Sequence, residues 1–235
     1  MRRFYREATA TAMSAGAAAG FHVLLDGRAL KTPAKLPLLL PTRALAEAVA
    51  AEWQAQPETI EPYGMPLMRL AATALDRVAV QRPRVVDEVA AYGGSDLLCY
   101  RAERPDALVQ RQEAAWQPVL DWLARRFDAP LQVTCRVIAI PQSEQALNRL
   151  HDVVAAQSDL ALAALHALTT GLGSLALALA VAEGWMAPAA AAAAAHLDEI
   201  YQAEGWGEDA EALARRAAMA KEINASARFL SLLRA

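Results

Sequence analysis

Residues 197–209 hold the densest group of side chains that could carry chemistry, because acids alternate there with aromatic residues. Asp198 and Glu199 are adjacent, and Tyr201 and Trp206 follow them. Paired carboxylates can act as a general acid and a general base. Such a reaction needs a cleft, and we expect neither a nucleophile nor a cation nearby. A small-molecule enzyme that uses Asp198 and Glu199 is therefore the alternative to a binding role.

A binding surface or a plain solvated surface would explain the same residues. Acidic runs are often the water-facing side of a helix. Tyr and Trp beside acids also suit a contact surface for a protein partner that is partly apolar and partly basic. On the expected helix, Asp198, Glu199 and Gln202 face outward or sideways. We expect Gly205 to end that helix and to present Trp206 on a turn.

Other familiar catalytic and cofactor motifs are absent from the sequence. It contains neither a phosphate-binding G-x-x-x-x-G-K-[ST] loop nor an H-E-x-x-H zinc motif. Ser174 is not in a G-x-S-x-G elbow. The four histidines share no metal-ligand spacing; they are His22, His151, His166 and His196. Cys99 and Cys135 are isolated, which fits a reducing compartment. We expect no metal and no cofactor.

The sequence GLGSLA at residues 171–176 fits the G-x-G-x-x-A pattern of dinucleotide-binding folds. That pattern requires a strand before it, whereas residues 160–167 contain no β-branched residue. We therefore interpret both glycines as helical residues that allow close packing.

The longest uncharged run covers residues 160–182. Its leucines recur at spacings of 3, 4, 3 and 4, namely Leu165, Leu168, Leu172, Leu175 and Leu179. This spacing predicts one helix with a leucine face. A membrane span needs about 20 mostly apolar residues, but polar residues dilute this run and acids flank it. We predict a helix buried on nearly all sides and ended by Gly184.

Composition limits the class of protein. A chain of 235 residues, 55% of them hydrophobic and only 6% aromatic, can bury a core built mainly from Ala, Leu and Val. Its net charge of −3 argues against a general nucleic-acid binder, which is normally basic.

Patterning predicts an α+β chain with two domains. Residues 1–62 form a small β-rich N-terminal domain with one helix, and residues 63–235 form a larger all-helical bundle domain. In the first we expect strands at residues 21–25 and 36–40, a hairpin turn at Asp26-Gly27 and a helix capped by Thr42. In the second we expect Pro118 to kink or restart a helix. The alternation in residues 131–140 predicts one additional strand.

Eight segments, taken in order, resemble one protein family, the ATP synthase F(1)-sector assembly factors that chaperone the alpha subunit. They are RRFY at residues 2–5, LDGRALKTP at 25–33, LPTRALAEAVAAEWQAQ at 40–56, MPLMRLAATALDRV at 65–78, SDLLCYRAERP at 95–105, WQPVLDW at 116–122, GSLALALA at 173–180 and LDEIYQAEGWGED at 197–209. Each is short, but their joint occurrence in this order is specific. One departure is Ala34-Lys35, where relatives often have a glycine turn.

The resemblance implies the same two-part fold and a function without catalysis. The family holds the unassembled alpha subunit and shields the surface that beta subunits later cover, which prevents aggregation. The implied partner is therefore the alpha subunit, with no nucleic acid and no stable membrane insertion. Because RRFY begins the family's fold, the N-terminus resembles a domain rather than a transit peptide. That implies a bacterial, cytoplasmic protein.

The resemblance also implies which residues bind the partner. The family's acidic DE-x-Y-Q block begins at Asp198, and its WG begins at Trp206. The binding role carries over first to Glu199, and then to Asp198, Gln202 and Trp206.

Overall fold

The structure is a computed structural model that describes residues 1–13, 20–136, 138 and 140–235. It divides into two compact units. The first consists of Met1–Arg82, Ser158–Ala164 and Ala225–Ala235, and the second consists of Pro83–Gln157 and Leu165–Asn224. The fold is α+β, as predicted, with a small antiparallel sheet near the N-terminus and helices in the larger C-terminal region. The domain boundary between residues 62 and 63 stays a prediction.

The sheet of the first unit is built around β2 (Phe21–Leu25). Three strands pair antiparallel with it, namely β1 (Ala8–Ala12), β3 (Arg28–Ala29) and β4 (Leu39–Leu40). The predicted hairpin is confirmed, because Asp26 and Gly27 have φ of 47° and 77° and connect β2 directly to β3.

The last strand is shorter than the predicted residues 36–40. Only Leu39–Leu40 form β4, and Pro37 makes an isolated bridge to Lys31. Proline has no N–H to donate to a ladder, which limits the pairing. The turn before it contains Lys35 at φ of 67°, the left-handed conformation that a glycine adopts without strain.

The helix α1 (Arg43–Gln54) contacts β1 and β2. As predicted, Thr42 caps it: the Thr42 Oγ1 accepts a hydrogen bond from the N–H of Leu45 at 3.2 Å. The same hydroxyl donates to the carbonyl oxygen of Leu232 at 2.6 Å. The residues that face inward are buried, namely Leu45, Val49 and Trp53.

The helix α2 (Pro66–Thr73) begins on a half-buried carboxylate of α1. Glu52 accepts hydrogen bonds from the backbone N–H groups of Leu67 and Met68, both at 2.8 Å. These bonds satisfy two of the amides that a helix N-terminus leaves unpaired. Burial raises the pKa of Glu52, although both hydrogen bonds oppose the shift.

The remaining helices are α3 (Arg82–Ala90), α4 (Asp106–Phe127), α5 (Glu144–Ala155), α6 (Asp159–Leu172), α7 (Leu175–Ala182), α8 (Pro188–Ala195), α9 (Leu197–Trp206) and α10 (Ala210–Leu233). The first residues of α6 and the last residues of α10 belong to the first unit, and the rest of both helices belongs to the second. Within the described residues, none of these helices is long and apolar enough to cross a membrane.

Two expectations for the second unit are corrected. Of the two outcomes expected at Pro118, a kink or a restart, the restart does not occur, because Pro118 lies inside one continuous helix, α4. Pro118 and Ala114 are both exposed, so the carbonyl that loses its helical partner is on the water-facing side. The strand predicted at residues 131–140 does not form in its described part, where only Thr134 makes a bridge, to Tyr100. Val137 and Ala139 lie outside the described residues.

The predicted helix at residues 160–182 is broken into α6 and α7. Gly173 has φ of 64°, and Ser174 caps α7 by accepting a hydrogen bond from the N–H of Leu177 at 3.0 Å. All five leucines of the predicted face are nevertheless buried. The 3–4 spacing therefore predicted the buried leucines correctly. It did not predict the break, which the backbone freedom of Gly173 allows.

Candidate partner-binding site

The predicted site lies on α9 and α10, which are joined by residues 207–209. Residues 197–211 carry six acids and no Lys or Arg; the acids are Asp198, Glu199, Glu204, Glu208, Asp209 and Glu211. Asp209 begins α10, because its carboxylate oxygens accept hydrogen bonds from the N–H groups of Glu211 and Ala212 at 3.2 and 3.3 Å. An acid at a helix N-terminus also interacts favourably with the helix dipole.

The helix α4 fixes the position of α8 and α9. Trp116 donates its indole N–H to the carbonyl of Ala194 at 2.8 Å, and Trp116 is fully buried. Arg111 donates to both carboxylate oxygens of Glu204 at 2.9 and 2.7 Å, and its guanidinium lies 5.2 Å from the ring centre of Tyr201. Both hydrogen bonds come from Nη1, and together with the ring contact they connect α4 to α9.

Asp198 faces α4 and is half-buried. Its Oδ1 accepts a hydrogen bond from the side-chain amide of Gln112 at 2.7 Å. Gln112 is buried, and its Oε1 accepts from the N–H of Ala102 at 2.8 Å. Asp198 therefore lies sideways on the helix, one of the two orientations expected, and it anchors α9 on α4.

Glu199 lies on the exposed side of α9 and lines an open groove of about 320 Å³ between α9 and α10. Its Oε2 accepts a hydrogen bond from Arg215 Nη2 at 3.1 Å, and His196 Nδ1 lies 3.9 Å from the same oxygen. Gln202 and Trp206 also line this groove. Of the four predicted site residues, the structure thus brings Glu199, Gln202 and Trp206 together.

Trp206 is 87% exposed although it is a large aromatic residue. The prediction that Gly205 ends the helix is wrong by two positions. Trp206 is the last helical residue, and Gly207 ends α9 with φ of 93° while donating its N–H to the carbonyl of Ala203 at 2.9 Å. Gly205 stays helical, and of these two glycines it is Gly207 that adopts a φ that other residues avoid.

His196 forms the junction between α8 and α9. Burial lowers its pKa, the Glu199 carboxylate opposes that shift, and the Arg216 and Arg215 charges add to it. Its Nε2 is buried without a hydrogen-bond partner in the described part of the chain. The imidazole ring of His196 is therefore neutral at neutral pH, and it contributes little charge to the groove.

The expectation that no cation lies near the acids is wrong. Arg215 pairs with Glu199, Arg111 pairs with Glu204, and Arg216 pairs with Glu208 at 2.9 Å. Sequence reasoning missed Arg111 because it is on a different helix, 93 residues from Glu204. The pairing of Arg215 with Glu199 could have been predicted from the sequence. Glu199 and Arg215 each lie eight residues from Gly207, so a short turn there brings the two side chains face to face.

The arrangement suits binding more than acid–base chemistry. Glu199, Glu204 and Glu208 pair with arginines, whereas Asp198 and Asp209 accept hydrogen bonds from amides. Among the described residues there is no group of His, Cys, Asp and Glu that could hold a metal ion. An exposed indole beside a paired, partly exposed carboxylate is a typical composition for a protein contact surface.

The dinucleotide-like sequence at residues 171–176 does not form a phosphate site. Asp96, which is fully buried, accepts hydrogen bonds from the N–H of Ala176 at 3.0 Å and from the N–H of Leu98 at 3.1 Å. Burial raises the pKa of Asp96, and these hydrogen bonds oppose the shift. A carboxylate of the chain itself therefore occupies the N-terminus of α7, where a phosphate would have to bind.

Comparison with known proteins gives one consistent family. A family model described as ATP12 chaperone protein matches residues 2–124. The curated protein "Protein atp12, mitochondrial" of Schizosaccharomyces pombe is 24% identical over 218 residues, which cover 88% of this chain and 74% of that protein.

Solved structures match over nearly the whole chain. The crystal structure of Atp12 from Paracoccus denitrificans is 44% identical with a TM-score of 0.93, covering 99% of this chain and 98% of that one. An aspartate-to-lysine mutant of the same protein gives the same identity and TM-score, with 97% of that chain covered. Atu1473 from Agrobacterium tumefaciens is 42% identical with a TM-score of 0.93, covering 99% of this chain and 86% of that one.

Proposed function

Because the chain belongs to the ATP12 chaperone family, we propose that it binds the unassembled alpha subunit of the ATP synthase catalytic sector. It prevents the aggregation of this subunit before assembly with beta. The strongest support is the 44% identity to Atp12 from Paracoccus denitrificans over 99% of the chain. The chain acts as a binding protein in the bacterial cytoplasm, without catalysis and without a cofactor.

The contact surface is the groove between α9 and α10. An indole that is 87% exposed loses its contact with water when a partner covers it. Burying a side chain of this size contributes about 2 kcal/mol or more to binding. Aromatic residues of this kind are frequent among the residues that dominate binding energy.

The four predicted residues have different parts in this proposal. Glu199 meets a basic group of the partner, Gln202 offers an exposed amide, and Trp206 supplies apolar area. Asp198 holds α9 in place through Gln112. The six acids of residues 197–211 favour a partner segment that is basic as well as apolar, because complementary charge steers association and selects the partner.

The alternative, a small-molecule enzyme that uses Asp198 and Glu199, has less support. Arg215 and Gln112 already occupy these carboxylates. Such an enzyme would show a rise in melting temperature with its ligand, since a ligand that binds only the folded state stabilises it. A screen of common nucleotides and metabolites by thermal unfolding tests this, and we expect no shift.

The proposal is tested by co-expression of the tagged chain with the alpha subunit of its own ATP synthase, and separately with the beta subunit. We expect selective capture of alpha without added ATP. Glu199→Lys should weaken capture about tenfold or more, since a reversed charge meets the basic group of the partner.

Glu88→Lys is the matched control for this experiment. Glu88 pairs with Arg84 at 2.8 Å and its side chain is 46% exposed, compared with 45% for Glu199. The Glu88→Lys variant should capture the alpha subunit as well as the unmodified chain does. Normal capture by Glu199→Lys would refute the site, and capture of neither subunit by the unmodified chain would refute the function.

A further inference from the structure

Glu199 is already paired within the free protein. Its Oε2 accepts a hydrogen bond from Arg215 Nη2 at 3.1 Å across the groove. We infer that Arg215 holds the position on Glu199 that a basic side chain of the partner takes in the complex, so the chain carries its own competitor for this site. This inference rests on the proposed function and adds how the groove is occupied before the partner arrives.

The pair is open enough to be exchanged. The side chains of Arg215 and Glu199 are 57% and 45% exposed, and they come from opposite walls of the groove. Exposed ion pairs of this kind contribute little net free energy, because water screens them and two long side chains must be ordered. A cation brought by the partner can therefore replace Arg215 at small cost.

The other acids near the groove have different partners, and Glu204 and Glu208 do not line it. Arg111 donates two hydrogen bonds to Glu204. Asp209 accepts the first amides of α10. Arg216, the cation on Glu208, is only 13% exposed. Of the two carboxylates that line the groove, Glu199 and Asp209, Glu199 is the one held by an exposed cation.

The groove also indicates the chemistry of the occupant. Once Arg215 leaves, the carboxylate of Glu199 faces the same space as the exposed indole of Trp206. No aromatic or cationic contact of Trp206 occurs within the described residues. The charged group of a Lys or Arg side chain from the partner can pair with Glu199. The aliphatic stem of the same side chain, or the cation itself, then covers the face of the indole. The occupant is therefore a segment of the alpha subunit with Lys or Arg beside an apolar residue.

The test measures the Kd of purified variants for the alpha subunit. Arg215→Gln should bind about two- to fivefold more tightly than the unmodified chain, because the competitor for Glu199 is gone. Glu199→Gln should bind more weakly. The double variant should bind no more tightly than Glu199→Gln alone, since the gain depends on a free Glu199.

Two controls separate this from general charge effects. Arg84→Gln removes one positive charge from an exposed pair on α3 and should leave the Kd unchanged. Arg215→Lys keeps the charge and should bind like the unmodified chain. Thermal unfolding of each variant checks that the fold is intact, which we expect because both Arg215 and Glu199 are largely exposed.

The outcomes distinguish this inference from the proposed function. Weaker binding by Arg215→Gln would mean that Arg215 itself contacts the partner, which overturns the inference. Equal tightening by Arg84→Gln would also overturn it, because overall charge would be the cause. If the unmodified chain binds but Arg215→Gln does not differ from it, only the inference fails. If the unmodified chain does not bind the alpha subunit, the proposed function fails as well.

Discussion

Asp198 and Glu199 are adjacent in the chain, but their surroundings differ. Asp198 packs toward α4 and accepts a hydrogen bond from a buried amide, whereas Glu199 lines an open groove. The first residue positions α9, and the second is the residue that we propose for contact with the partner. The two should therefore respond differently to substitution.

Asp198→Ala should lower the free energy of unfolding by about 1–2 kcal/mol, because it leaves the buried amide of Gln112 without its acceptor. Glu199→Gln should change it by less than about 0.5 kcal/mol, as is usual for an exposed site. Urea denaturation followed by circular dichroism measures both. An equal loss in the two variants would contradict the division of roles.

The sequence predicts which acidic and aromatic residues form the candidate site, but not how they are held. Their residue types and helical spacing are local features. The contacts from α4 are not local, since Gln112 lies 86 residues before Asp198. No spacing rule along one helix can identify a partner at that separation.

The end of α9 depends on two glycines with opposite roles. Gly205 is helical, and nothing lies within 4 Å of a Cβ placed there. Gly207 has φ of 93°, which disfavours any side chain. The sequence alone could not assign these roles, because both residues precede the acids that begin α10.

Gly205→Ala should raise the free energy of unfolding by about 0.5–1 kcal/mol, because alanine loses less backbone entropy in a helix. Gly207→Ala should lower it by about 1–3 kcal/mol, since alanine is strained at φ of 93° and ψ of 156°, a conformation essentially restricted to glycine. Differential scanning calorimetry of the two variants measures whether each substitution raises or lowers the stability. Stabilisation by both substitutions would show that α9 continues beyond Trp206.

Local patterns predicted most helices and strands, and the failures share one cause. The leucine spacing of residues 160–182 predicted burial but not the break at Gly173, where Asp96, 80 residues before Ala176, receives the amides of α7. The alternation of residues 131–140 predicted a strand. Residues of its described part, such as Ile138, are instead exposed. A strand needs a partner strand, and alternation does not reveal whether one exists.

On the scale of the whole molecule, the two units are made of segments that are far apart in sequence. The predicted boundary between residues 62 and 63 assumes contiguous domains, because patterning locates elements without showing which distant segments pack together. The last segment of the first unit, Ala225–Ala235, contains Phe229 and Leu230, which are both buried. This segment belongs to the core of a unit that begins at Met1.

Phe229→Ala should lower the free energy of unfolding by about 3–5 kcal/mol, because it leaves a cavity in a core. Leu213→Ala on the same helix should cost less than about 1 kcal/mol, since Leu213 is 43% exposed. Hydrogen exchange should show the largest loss of protection in α1 and the sheet for Phe229→Ala. A loss confined to α4 would contradict the assignment of Phe229 to the first unit.

The composition of the first unit also has a consequence for biosynthesis. When the ribosome has made residues 1–82, the segment Ala225–Ala235 is still missing, and so is the Leu232 carbonyl that receives the Thr42 hydroxyl. At typical translation rates this delay is on the order of ten seconds. During that time the first unit also lacks two of its buried residues, Phe229 and Leu230. The first unit therefore has its full set of core residues only after residues 225–235 have been translated.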